Sequence, residues 1–239
     1  MKAVIAGFEY AIALLQFLVD RPSSHTTLVI CSTRESFLGQ ITPAVLATEP
    51  QEIPPSQESV AEDEPTSKPL PHRFLVPTLQ LLARSRAIKL VYCPSIDILR
   101  AYLSSYAAPA AAEESPGRDS SPKPLLAILD LVLLHHATSE FSVQGLMRTF
   151  ASAVEAASRN FMDLMLCECK DVHDPTNPNC GPGIWDADAP LLSGSVRLGN
   201  GGSAFAGRMV SVRKIAGRWL SFEQQQPGKQ ELDDEEMLV

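Results

Sequence analysis

The chain of 239 residues is most informative first in what it lacks. Its five cysteines are odd in number and follow no disulfide framework spacing, which excludes a cystine-stapled secreted scaffold. No apolar run approaches the ~18 residues that a membrane span needs. Positive charge is in deficit: 20 Lys and Arg stand against 28 Asp and Glu, a formal net charge of -8. A protein held on nucleic acid by its overall field is thereby excluded, although a local basic patch is not. There is no period of solenoid length. Lys2 and the apolar residues up to Val19 imitate a signal peptide, but Glu9 interrupts the run and "FLVDRPSS" has no small-x-small cleavage site. Free thiols in apolar runs (Cys31, Cys93, Cys167, Cys169) behave as small hydrophobes and fit a reducing compartment.

What is present is an alternation. "AVIAGFEYAIALLQFLV" predicts a buried helix after a short strand at Ala3–Ala6, and "TTLVICSTRESF" a buried strand running into a polar turn. "FLVPTLQLLARSRA" is an amphipathic helix with Pro77 in its first turn, and "IKLVYC" a strand. Ser95 caps a helix to about Tyr106, "PLLAILD" is a strand ending in Asp130, and Ser142 to Asn160 carries helical apolar spacing. "MDLMLCEC" is the next strand, and "SGSVRL" and "GRMVSVRKI" predict a closing antiparallel pair. Strands alternating with helices imply an α/β fold, a mostly parallel sheet with helices on both faces and a C-terminal antiparallel hairpin. One domain over 1–223 is expected, with Pro- and acid-rich disordered insertions at 43–71 and 107–123 and an acidic tail at 224–239.

The order of these segments resembles the ATPase core of the RecA-type recombinases and their paralogues. "TLVICSTRESF" resembles the second core strand and its turn, and "LLAILD" the Walker-B strand. "FMDLMLCEC" resembles the strand carrying the nucleotide-sensing amide, and "LLSGSVRL…GRMVSVRKI" the closing hairpin. The departures decide what the resemblance implies. No G-x-x-x-x-G-K-[ST] occurs; only "AGFEY" precedes the first helix, and Glu9 repels phosphate. Arg34 stands where the family has its catalytic Glu, and the sensing amide position falls near Cys167–Cys169. Asp130 is then a Walker-B relic, for magnesium in such sites is held largely through substrate phosphates.

No catalytic, cofactor or metal residue is therefore assigned. Cys167, Cys169, His173 and Cys180 match no common zinc spacing. His135 and His136 lack a nucleophile at motif spacing, and a strand-end pair at the rim of the sheet is expected. Arg197, Arg208, Arg213, Lys214 and Arg218 are predicted to divide between two faces of the hairpin, as a solvated edge does. The resemblance implies a nuclear, non-catalytic subunit that binds other RecA-fold subunits, of the Shu-complex type, in homologous recombination and repair, with DNA reached through the complex. A cytoplasmic RecA-fold subunit of the Elongator accessory subcomplex, acting on tRNA, is the alternative. A third is an ATPase whose phosphate loop is missing from the gene model. Arg34, Phe37, Trp185 and Arg213 are the expected partner contacts, because aromatics and Arg dominate interface energies. Phe37 and Trp185 are also candidates for closing their own core.

Overall fold

The computed structural model describes residues 1–21, 25–46, 72–107, 123–192 and 208–222. Five strands supply most of the sheet: β1 (Ala3–Ala6), β2 (Thr26–Ile30), β3 (Ile88–Tyr92), β4 (Leu125–Leu129) and β5 (Asp163–Cys167). Between and after them run α1 (Ala11–Asp20), α2 (Arg34–Leu46), α3 (Leu79–Ser85), α4 (Ile96–Ser105), α5 (Leu131–His136) and α6 (Val143–Arg159). The C-terminal part adds β6 (Asp188–Pro190), β7 (Met209–Ser211), α7 (Val212–Ala216) and β8 (Ser221–Phe222). The main sheet has six strands in the order β3-β2-β4-β5-β1-β8, and every pairing in it is parallel. β6 and β7 form a separate antiparallel pair. This is the expected α/β class, with a RecA-like layout.

The near-continuous apolar strands follow from burial on both faces. In β2, Val29 turns to one side and Leu28 and Ile30 to the other. The first side packs on α4 and α6 through Leu99, Leu103, Leu146, Phe150 and Ala153. The second packs on α1 through Leu14 and Leu18, and on Phe37 of α2. Caps set the helix starts: the Ser95 hydroxyl accepts from the Ile98 N–H at 3.4 Å and that of Ser142 from the Gly145 N–H at 3.1 Å.

Several boundaries differ from expectation. α2 begins at Arg34, so the polar turn "STRESF" is mostly a helix start, and it continues through Pro43 to Leu46, into the predicted insertion. Pro43 offers no N–H to the Gly39 carbonyl; His173 Nε2 lies 3.2 Å from that oxygen and takes the place of the missing donor. α3 starts after Pro77, capped by Thr78. In "GRMVSVRKI" only Met209–Ser211 is a strand. Ser211 then caps α7, and β7 pairs with β6. The rest of the two predicted insertions (47–71 and 108–122), the predicted strand over 193–198 and the tail at 224–239 lie outside the described residues. Among the described residues no helix is long and apolar enough to cross a membrane.

Candidate functional site

In open parallel sheets, ligands sit beyond the carboxyl ends of the strands. Here the ladder continues one residue past β3, β2 and β4. Cys93 N–H donates to the Ile30 carbonyl (2.8 Å), Cys31 N–H to Leu129 (3.0 Å) and Asp130 N–H to Cys167 (2.8 Å). The resulting rung is Cys93, Cys31, Asp130 and, beyond β5, Glu168. Two thiols and two carboxyls thus stand at the carboxyl edge of the sheet.

Asp130 is left-handed, with φ 60 and ψ 39. Short Asp side chains tolerate that conformation better than most. The turn swings the following apolar run off the sheet and into α5. Its Oδ1 accepts from the Cys169 N–H at 2.9 Å. Glu168 is 1% exposed. Its oxygens accept from the Val132 and Leu133 N–H groups at 2.7 and 3.1 Å, so it caps α5 from just beyond β5. Burial, and then the charge of Asp130, push the Glu168 carboxyl well above its usual range, against the pull of those two N–H groups. Burial likewise raises Asp130, to about 7, against the Cys169 N–H and with the Asp171 charge. Burial and both carboxylates hold the Cys31 thiol up. Cys169 is raised first by its contact with Cys167, whose sulfur lies 3.5 Å away, and then by burial. Thiols held up in this way are inert as nucleophiles.

The β1–α1 connection closes over the same edge. The Glu9 carbonyl accepts from the Lys170 N–H at 2.8 Å, and the Phe8 carbonyl faces Cys169 Sγ at 3.8 Å. Glu9 Oε1 pairs with Lys170 Nζ at 2.8 Å. The segment therefore presents carbonyls and a carboxylate where a phosphate loop presents N–H groups and a Lys. On the other side, Gln40 clamps the β5 exit by donating to Asp171 Oδ1 and accepting from the Val172 N–H.

The remaining predicted residues fall as follows. His135 and His136 end α5 rather than a strand. His135 is fully buried, with Nδ1 3.2 Å from the Glu140 carbonyl and Nε2 3.0 Å from Thr149 Oγ1. Burial lowers it to about 4, so it is a neutral core histidine. Cys167 and Cys169 are core residues, His173 is at the surface and Cys180 is half-buried. Among the described residues no group of three His, Cys, Asp or Glu is arranged to hold a metal ion.

Of the expected partner contacts, Phe37 is buried against Tyr92, ring centroids 6.1 Å apart. Trp185 is stacked on Phe150 at 6.4 Å and edge-on to Phe222 at 5.7 Å. Both rings are buried in their own domain and pack in its core, as the alternative reading of these two residues has it. Arg34 and Arg213 are exposed. Arg213 belongs to α7, not to a strand; it pairs with Asp186 at 2.7 Å and lies 4.5 Å over the Phe222 ring. Exposed pairs of this kind contribute about 0–1 kcal/mol. Arg34→Ala and Arg213→Ala should leave the thermal midpoint within about 4 °C of wild type. A clear drop for either would make it a fold residue.

Glu168 and Gly145 were not singled out from the sequence. Glu168 sits among strand apolars and had only its charge as a signal. Gly145 interrupts a well-patterned helix, which is a recognised flag for close backbone approach.

No curated protein matches the chain, and no solved structure matches it either. One family model does, over residues 9–222, which spans the sheet from the β1–α1 connection to β8; the chain belongs to the SPAC22G7.03-like family.

Proposed function

We propose that this protein is a RecA-like subunit that does not turn over nucleotide and works by binding other RecA-fold proteins. Its best home is a recombinase-paralogue complex acting in homologous recombination and DNA repair, in the nucleus. One observation supports the non-catalytic reading most. The place of a phosphate loop is filled by the Phe8 and Glu9 carbonyls and the Glu9–Lys170 pair, while Asp130 is engaged by the Cys169 N–H. A triphosphate would meet the Glu9 and Asp171 carboxylates there, and like charges at short range repel. The assignment to recombination rests on the resemblance of the segment order alone.

Two measurements test the two halves. Calorimetric titration of the full chain with ATP and magnesium should give no binding at micromolar concentrations. Micromolar affinity abolished by Asp130→Ala would overturn the non-catalytic half. Proteins co-purifying with the tagged chain from its own cells should be RecA-like recombination proteins; recovery of Elongator subunits instead would move it to that assembly.

A further inference from the structure

The C-terminal half of α2 is helical against its own sequence. Gly39, Ile41, Thr42 and Val45 are weak helix formers, and Pro43 removes one bond of the ladder. The residue before a proline favours extended backbone, and here that residue is Thr42. Its hydroxyl donates back to the Leu38 carbonyl at 2.8 Å, a bond that bends helices rather than firming them. Packing adds little: past Phe37 only Val45 of α2 is buried, with Ile41 half-buried against the core.

What holds this half in place is a strap from the β5 exit. His173 Nε2 supplies the Gly39 carbonyl with a donor at 3.2 Å. Gln40 donates to Asp171 Oδ1 at 2.7 Å and accepts from the Val172 N–H at 2.8 Å. Asp171 Oδ1 also accepts from the His173 N–H at 2.8 Å, so helix and strap share one small network. The strap continues directly into Lys170 and Cys169, whose N–H groups bond to the Glu9 carbonyl and to Asp130 at the carboxyl edge. A change at the end of α2 is therefore passed to that edge.

Thr42-Pro43 is one of three Ser/Thr-Pro steps in the chain, with Ser115-Pro116 and Ser121-Pro122, and it is the one among the described residues. Kinases that require proline after the acceptor read the extended backbone that such a step prefers. We propose that Thr42 is phosphorylated by a proline-directed protein kinase, and that the added group frees the C-terminal half of α2 from the strap. The γ-phosphoryl group of ATP passes to Thr42 Oγ1. Its bond to the ADP oxygen breaks, the new P–O bond forms, and the hydroxyl proton goes to the base of the kinase. The ester oxygen then has no hydrogen for the Leu38 carbonyl. The phosphate brings a charge of about −1.5 to −2 to the last turns of α2, where the helix carbonyls and the ionised Asp171 already oppose it. Thr42 is reached by unwinding, so the site does not turn on its exposure in the folded helix. The proposal is independent of the proposed function, since it needs neither a nucleotide site nor a RecA-fold partner in this chain.

The test is phosphorylation of the purified full chain with ATP and magnesium by two proline-directed kinases, one cyclin-dependent and one mitogen-activated. The background carries Ser115→Ala and Ser121→Ala, which leaves Thr42-Pro43 as the remaining Ser/Thr-Pro step. The intact mass should rise by one phosphoryl group, located at Thr42 by fragmentation, and should not rise when Thr42→Ala is added. Hydrogen exchange over 38–46 and 170–173 should then quicken roughly tenfold or more, as loss of the two Gln40 bonds would give, while α6 exchanges as before. His173→Ala removes the donor to Gly39 and should speed the phosphorylation roughly fivefold, the worth of one hydrogen bond. A chain that neither kinase modifies at Thr42 overturns the proposal. So does modification that leaves exchange over both segments unchanged, or a His173→Ala chain modified no faster than its parent.

Discussion

Gly145→Ala should unfold the protein or cost it roughly 3 kcal/mol or more, the upper range for overpacking. Gly145 is buried in the first turn of α6, where alanine is ordinarily the better helix former. A methyl there would overlap the Glu140 carbonyl oxygen and sit 3.1 Å from its carbon, and both are backbone atoms that cannot swing aside. That carbonyl is fixed from three directions. It accepts from the Ser142 N–H at 2.8 Å, faces His135 Nδ1, and belongs to the residue whose carboxylate pairs with Arg100 at 2.9 Å. Arg100 also donates to the Gly145 carbonyl and to Thr149 Oγ1. Displacing Glu140 would loosen the junction of α4, α5 and α6 together. Gly39→Ala is the control, since nothing lies within 4 Å of a Cβ at that helix position. It should gain roughly 0.5–1 kcal/mol, the ordinary benefit of alanine over glycine in a helix. Urea unfolding of both variants checks the pair. A Gly145→Ala chain as stable as wild type would show that the α5–α6 turn yields.

The contrast between those glycines illustrates what the sequence conveys about this fold. Apolar runs such as "TTLVI" and "LLAIL", and the helical spacing after Ser142, locate strands and helices because burial requires those periods. They also place Cys167 and Cys169 on one face, where both are found in the core. Local periodicity says nothing about a bend inside an apolar run. "LVLLHH" reads the same as strand or helix, and the left-handed turn at Asp130 decides it. Pro43 stops a helix only when its orphaned carbonyl finds no donor; His173 supplies one from 134 residues away in sequence. The candidate site was half legible for the same reason. Asp130 announces itself at the end of a strand, but its effect depends on Glu168 and the Phe8–Glu9 carbonyls, which only the tertiary pairing brings beside it.

Asp130→Asn should stabilise the protein at neutral and alkaline pH, and the gain should shrink in acid. Asn keeps the oxygen that accepts from the Cys169 N–H and tolerates the left-handed backbone as Asp does. It removes only the charge that burial penalises and that pushes Glu168 up. The wild-type carboxyl is raised in the folded state from 3.8 to about 7. Between those values the unfolded chain has lost its proton while the folded one keeps it, so stability falls as pH rises through the window and levels off above about 7. At ~1.4 kcal/mol per unit, removing the penalty is a gain of up to about 4 kcal/mol at pH 8, less whatever solvent screening returns to this half-buried group. At pH 5 most of the window has not been crossed, and the advantage should be less than half as large. His135 acts in the opposite sense: lowered from 6.5 to about 4, it costs stability as pH falls through that range. It does so equally in both chains and cancels from their difference. Urea unfolding of wild type and Asp130→Asn at pH 8 and pH 5 therefore isolates the carboxyl. A variant less stable than wild type at pH 8 would mean that Asp130 is held as a favourable charge, which is how a carboxylate that serves a bound cation behaves.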